Sequence, residues 1–248
     1  MLIKNIKNNI IIFGFFTKLI LIIFLIIIFE IFKNKRLIKN FTKPLKVCLC
    51  VIGKKENLYV KEFINYYKKL GYNKIFIYDN NDIFEEKFED VIKNEINQEY
   101  VSVINYRGYQ GKNNHPQFDA YKDCYEKNNK KFDWLSFFDF DEFLEIIQKN
   151  ETIQDFLNNK RFQKCQIIKI NWIVYNNIKS LYYEKKPLQE RVKSKGFLDI
   201  HIKSTVRGNL PMNYWSKTTN PHSSINKYIS CSSSGKIINF LIYCKRNN

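Results

Sequence analysis

Glycine-rich phosphate loops, internal repeats and cysteine pairs at zinc-site spacing are all missing from this 248-residue sequence. Without a Gly-rich loop the chain carries no signature for cradling phosphate in a P-loop or dinucleotide site. Without a repeat period, solenoids and propellers are excluded. With no CxxC pair and no Cys/His cluster, no structural zinc site can be read. The six cysteines (Cys48, Cys50, Cys124, Cys165, Cys231 and Cys244) are too few for a disulfide scaffold at this length. Cys48 and Cys50 share one face of an expected strand and are badly placed to bond to each other. Buried thiols are therefore expected, with one or two disulfides if the domain lies in a lumen.

What is present is enough for a real core. Hydrophobic residues make up 45% and aromatic residues 16%, which excludes a disordered chain and fits one globular domain with an appendage. Ile, Lys, Asn and Tyr exceed Ala, Gly and Pro in the manner of a compositional bias, so a lone Lys or Asn is no signal. The net charge of +17 is uneven: residues 1–46 carry +8, residues 47–159 carry −5 and residues 160–248 carry +14. A chain acidic in its middle is no uniform nucleic-acid-binding rod, and no nucleic-acid partner is expected. The basic last third could face phosphates, an anionic surface or an acidic acceptor.

The stretch IIIFGFFTKLILIIFLIIIFEIF, residues 10–32, is long enough to span a bilayer as a helix, with Glu30 and Lys33 able to snorkel at one end. No small-residue cleavage site follows Phe32, so an uncleaved single-pass anchor is expected rather than a signal peptide. The organisation read from this is a short tail (1–9), the anchor (10–32), a basic juxtamembrane linker (33–45) and a catalytic-type domain (46–248). Basic residues cluster after the anchor, which by the positive-inside rule puts the domain in the cytosol. Two sequons, Asn40-Phe41-Thr42 and Asn150-Glu151-Thr152, point the other way.

In the soluble part, KVCLCVI (46–52) reads as a buried strand. A helix follows, capped by Asn57, carrying Phe63, Ile64, Tyr67 and Leu70 on one face and ended by Gly71. KIFIYDNND (74–82) is a second strand, 84–93 a helix, and VSVINY (101–106) a third strand. HPQFDAYKDCYEKN is helical, with Pro116 in its first turn. FDWLSFFDFDEFLEI (132–146) opens on a fourth strand, a short helix covers 152–159, and from residue 165 the pattern turns to strands. Strand–helix–strand units imply a parallel sheet, which binds ligands beyond the carboxyl ends of its strands.

At one such end stands Asp139-Phe140-Asp141-Glu142, three carboxylates within four residues. They repel and lose water, so something must compensate. If the strand continues, Asp139 and Asp141 project from one face. A divalent cation that also holds phosphate oxygens is the simplest compensation, and hard oxygen ligands suit Mn2+ or Mg2+.

CLCVIGKKENLYVKEFINYYKKLGYNKIFIYDNND, HPQFDAYKDC and FDWLSFFDFDEFLE resemble, in order, motifs of glycosyltransferase family 92 and its family-2-like (DUF23) relatives. INWIVYNN, QERV, HIKSTVR and NPHSS extend the resemblance to roughly residues 46–225. The resemblance implies an α/β fold of GT-A type, a Rossmann-like mostly parallel sheet with the DxD at a strand end, behind one transmembrane helix. It implies a Golgi or ER enzyme with a lumenal domain, moving a hexose such as galactose from a nucleotide-diphosphate sugar, expected to be a UDP-sugar, to a glycan acceptor with inversion. Asp139 and Asp141 resemble the metal- and donor-binding pair. Asp79 resembles the acid contacting base or ribose, and Glu56 the first-loop acid. Gln117 matches the helix-opening glutamine, Lys203 the basic residue for phosphate, and His222 a histidine completing the metal shell. Lys55 replaces the usual Asn, and the serine expected after the Asp79 loop is absent.

Inversion requires a base on the acceptor hydroxyl, and Glu190 and Asp199 are the only acids after Glu184. Three other readings compete: a two-metal nuclease, a phosphatase using the DxD, and a transferase-like protein that binds glycan or nucleotide sugar without turnover. The first needs further acids in the cleft, and the second needs its nucleophile after the first strand.

Overall fold

The computed structural model describes residues 44–112, 115–148, 150–175, 184–192, 196–210, 222 and 228–238. The tail, the expected anchor at 10–32 and nearly all of the linker lie outside the described residues. Among the described residues, no helix is long and apolar enough to cross a membrane.

β1 (Val47–Gly53) is an interior strand of the sheet, lying between two others, and its sequence says why. Val47, Leu49 and Val51 pack in one buried cluster with Phe63, Ile64 and Tyr67 of α1 (Val60–Lys69). Cys48 and Cys50, on the opposite face, pack with Ala120, Tyr121, Cys124 and Tyr125 of α4 (Pro116–Asn128). A strand covered on both faces reads as a continuous apolar run, as β1 does. β2 (Lys74–Asp79), β3 (Val101–Asn105) and β4 (Trp134–Phe137) complete the parallel part, with two short helices, α2 (Phe88–Val91) and α3 (Lys93–Asn97), between β2 and β3. α5 (Ile153–Asn158), β5 (Ile167–Val174), α6 (Leu188–Arg191), β6 (Phe197–Arg207) and β7 (Ser230–Ser232) follow. β6 runs antiparallel to both β4 and β5, giving a mixed seven-stranded sheet in the order β3-β2-β1-β4-β6-β5-β7. The chain winds outward from β1 to β3, then returns to add β4 on the other side of β1. The crevice beyond the carboxyl ends of β1 and β4 is therefore a topological switch point, where such sheets bind ligands.

Several expectations are corrected. α1 starts at Val60 after Tyr59 and has no side-chain cap, because Asn57 instead donates its Nδ2 to the Lys87 carbonyl at 3.0 Å. Its other end is as expected. Gly71 (φ 95°) donates to the Lys68 carbonyl and Tyr72 to that of Tyr67, the paired bonds of a Schellman stop. The helix expected over 84–93 is two shorter ones, displaced toward residue 97. Free thiols are not the rule: disulfides join Cys50 to Cys124 and Cys165 to Cys231, while Cys48 is a buried free thiol.

β4 ends at Phe137, so the DFDE residues form a turn rather than a strand extension. Phe140 fixes that turn. Its ring packs 4.8 Å from Phe63 and 5.2 Å from Phe88, over the end of β1. A Cβ on Gly53 would lie 2.3 Å from the ring, so the strand can end there only in glycine. Phe140→Ala is expected to lower unfolding free energy by about 3–5 kcal/mol. Gly53→Ala should also destabilise, and in urea titrations the double variant should lose clearly less than the two single losses together. Additive losses would mean that the ring and the glycine do not constrain each other.

Candidate active site

The turn after β4 is closed by its own backbone. Glu142 N–H donates to the Asp139 carbonyl at 3.1 Å, and Glu142 Oε2 accepts from Asp139 N–H at 2.9 Å. With Phe140 turned into the core, carboxylate oxygens of Asp139, Asp141 and Glu142 all fall within 4.8 Å of one another. The two aspartates are thus brought together by the turn, not by strand alternation.

Three side chains from two neighbouring elements converge on Asp139. Gln117 Nε2, in the first turn of α4, donates to Oδ1 at 2.6 Å, and Tyr121 OH, one turn on, donates to it at 2.9 Å. Lys203 Nζ, from β6, donates to Oδ2 at 2.6 Å and lies 3.2 Å from Glu142 Oε1. Burial pushes the Glu142 carboxyl up to about 7, against the pull of Lys203 and with Asp139 adding to the rise. Lys203 is itself buried and lies over the indole of Trp172, 5.3 Å from the ring centre.

A second buried lysine stands on the adjacent strand. Lys169 Nζ donates to Ser204 Oγ at 3.2 Å and to the His222 carbonyl at 2.7 Å, and burial lowers its pKa to about 7. His222 packs edge-on to Tyr121. Burial first, then the charges of Lys203 and Lys169, push its imidazole down to about 3, so it is neutral near pH 7. His222 therefore stands beside the site, next to two lysines and outside the group of three carboxylates.

The other expected residues divide. Glu56 follows β1, and its carboxyl is raised by burial and then by Asp141, which puts it on the border of the site. Asp79 is 2% exposed and serves the loop after β2: Oδ1 accepts from Asn81 N–H (3.0 Å) and Asn81 Nδ2 (2.8 Å), and Oδ2 faces Arg107 at 3.4 Å. Arg107 also donates to the carbonyls of Asp82, Ile83, Glu85 and Glu86, so the Asp79–Arg107 pair shapes residues 82–86. Lys55 has a φ of 61°, the left-handed region that asparagine tolerates better than lysine, and its N–H donates to Asn81 Oδ1 at 2.7 Å. The asparagine expected at this position is thus explained by the backbone. Glu190 is exposed on α6, which is tied to α1 through the Arg191–Glu62 ion pair. Asp199 accepts from His201. Sequence reasoning missed Tyr121, Trp172 and Lys169, and did not single out Glu142 as a ligand. Tyr121 could have been found, since it lies four residues after Gln117 on one helix face.

The donor set fits a divalent cation. Three hard oxygen ligands gather at one point, and Glu142 Oε1 is buried and accepts no hydrogen bond, holding only its ion contact to Lys203. Asp139, Asp141 and Glu142 could together hold Mn2+ or Mg2+.

The Glycosyltransferase family 92 model matches residues 43–238. A glycosyltransferase family 92 protein of Oryza sativa subsp. japonica is 29% identical over 117 residues, 47% of this chain and 19% of its own length. One of Ricinus communis is 25% identical over 119 residues, 48% of this chain and 20% of its own. The matched stretch thus spans about a fifth of each curated relative. Among solved structures, S. aureus TarS aligns with a TM-score of 0.38 and 14% identity over 57% of this chain and 23% of its own. The mannosyltransferase PcManGT of Pyrobaculum calidifontis, in complex with GDP-Man and Mn2+, aligns with 0.38 and 11% over 55% and 37%.

The lowered pKa of Lys169 gives a stability signature. Folded Lys169 loses its proton near pH 7, whereas an unfolded lysine keeps it to about 10.4. Between these values the unfolded chain binds more protons, so this group makes stability rise with pH, by at most about 1.4 kcal/mol per unit. The stability of wild type relative to Lys169→Met should therefore increase from pH 7 to pH 10 in denaturant titrations. A difference constant with pH would show Lys169 charged in the folded protein.

Proposed function

Because the chain belongs to glycosyltransferase family 92, we propose that its folded domain is a GT-A-type transferase moving a hexose from a nucleotide-diphosphate sugar, a UDP-sugar first, to a glycan hydroxyl with inversion. The observation that carries this reading is the convergence of Gln117, Tyr121 and Lys203 on Asp139 in a three-carboxylate turn at the β1/β4 switch point.

Asp139, Asp141 and Glu142 would hold a divalent cation, which when bound would supply Lewis acidity toward the donor's diphosphate. The chain's own residues do the rest. Gln117 and Tyr121 fix Asp139 through Oδ1, so that carboxylate needs little reordering when it takes up a ligand. Lys203 is, among the described residues, the only cation within ion-pair reach of the turn. Its ammonium meets the charge that grows on the departing diphosphate. Glu56, bordering Asp141, and the loop shaped by Asp79 and Arg107 flank the same crevice and belong to donor recognition. The buried surroundings of Lys203 and Glu142 keep these charges in a low dielectric, where they act most strongly.

The domain is read as lumenal and tethered by residues 10–32. The two disulfides support that orientation, since such bonds persist in oxidising compartments. Intact Asp139, Asp141 and Lys203 support turnover over binding alone, as does the backbone explanation of Lys55.

The test is a panel of UDP- and GDP-hexoses assayed for nucleoside diphosphate release with Mn2+, Mg2+ or EDTA. Metal-dependent release from at least one donor is expected, and Asp141→Asn should abolish both release and donor binding while the urea midpoint is retained. Lys203→Ala should lower kcat more than it weakens donor binding, by about 2–4 kcal/mol of transition-state stabilisation. EDTA-insensitive donor binding in Asp141→Asn would refute the metal assignment.

A further inference from the structure

β6 is irregular at the point where its sequence reads Asp199-Ile200-His201. The β5–β6 ladder pairs Asn171 with Ile202 and resumes at Ile173 with Leu198. Trp172 alone therefore faces three residues of β6. Such a bulge bends a strand and re-aims its side chains, and bulges are frequent beside active sites. Here it folds Asp199 back onto His201. Asp199 Oδ1 accepts from His201 N–H at 2.8 Å and from His201 Nδ1 at 2.5 Å. An ionised carboxylate only accepts, so Nδ1 carries a proton, and in the neutral imidazole Nε2 is then the nitrogen with the free lone pair. The two donors from His201 hold the Asp199 carboxyl below its ordinary range, keeping it ionised.

The imidazole rests on the indole of Trp172, with ring centres 5.2 Å apart. The same indole carries the ammonium of Lys203, which contacts Asp139. One side chain thus ties the imidazole to the carboxylate turn. The side chain of His201 is 66% exposed, open to a large partner. Glu190, the other acid weighed as base, sits on α6 and has no such tie.

We propose that His201 is the general base of the transfer, taking the acceptor's proton on Nε2, and that Asp199 is its positioning partner. This rests on the glycosyl-transfer reading. The acceptor oxygen bonds to the anomeric carbon of the donor. The bond from that carbon to the diphosphate oxygen breaks, its electron pair leaving with the diphosphate. The hydroxyl proton passes to Nε2, and the imidazolium so formed is paired with Asp199. An Asp–His pair in this role needs no raised carboxylate pKa, and the Asp199 oxygen that would otherwise act as base is already engaged by His201.

The full chain in detergent tests this with His201→Gly, His201→Gln and Asp199→Asn. Two quantities are followed: UDP and GDP binding with Mn2+, and diphosphate release from whichever UDP- or GDP-hexose the wild type turns over. Nucleotide binding is expected to stay within about twofold while release falls about 10²–10⁴-fold in both His201 variants. Free imidazole should restore part of the loss in His201→Gly, and Asp199→Asn should fall less and show no rescue. Release within about threefold of wild type in His201→Gln, a loss that imidazole does not rescue, or a parallel loss of nucleotide binding each overturns the proposal. A wild type that neither binds nucleotide nor releases diphosphate removes the transfer reading itself and the proposal with it.

Discussion

The contact between Lys203 and Asp139 is what allows the rest of the site to exist. Three carboxylates within 4.8 Å, one of them buried enough to hold a pKa near 7, would otherwise repel and draw the turn into water. Lys203 offsets that repulsion at 2.6 Å from Asp139 and 3.2 Å from Glu142. It can do so only because β6 runs beside β4, which in turn depends on the sheet reversing direction there. A buried ion pair of this kind is a costly way to stabilise a fold. Its persistence is better understood as a charge balance prepared for a ligand than as a staple.

Two other constraints keep the turn where that balance works. Phe140 is anchored among Phe63 and Phe88, and only a glycine at the end of β1 leaves room for it. On the far side of β1, Arg107 collects four carbonyls of the loop after β2 and is itself held by Asp79. Residues first read as ligand contacts thus include some, such as Asp79, whose visible work is to shape the crevice wall.

Much of this was legible in the sequence, and the failures have physical causes. Strand β1, its flanking helices and the Gly71 stop followed from periodicity and turn chemistry, because one strand buried on both faces leaves an unbroken apolar run. The carboxylates at a strand end signalled the site, and family resemblance pointed to Gln117 and Lys203, which the fold brings to Asp139 from separate elements. What could not be read was non-local. Cys50 meets Cys124 only once α4 is laid on β1, and Cys165 meets Cys231 only through β7. Lys169 looked like one more lysine in a lysine-rich chain, and nothing local marks it as buried. The bulge opposite Trp172 leaves no trace in the alternation of FLDIHIKSTV, so Asp199 was weighed alone, without the imidazole it holds.

If the DFDE turn is a cation and diphosphate site, metal and donor bind there together. Crystals of the domain grown with UDP and Mn2+, with anomalous diffraction collected at the manganese edge, test it most directly. The expected result is one strong anomalous peak among the carboxylate oxygens of Asp139, Asp141 and Glu142, bridged to the diphosphate, with Lys203 near a phosphate oxygen. UDP bound with no manganese between those carboxylates, or manganese bound elsewhere in the crevice, would contradict it.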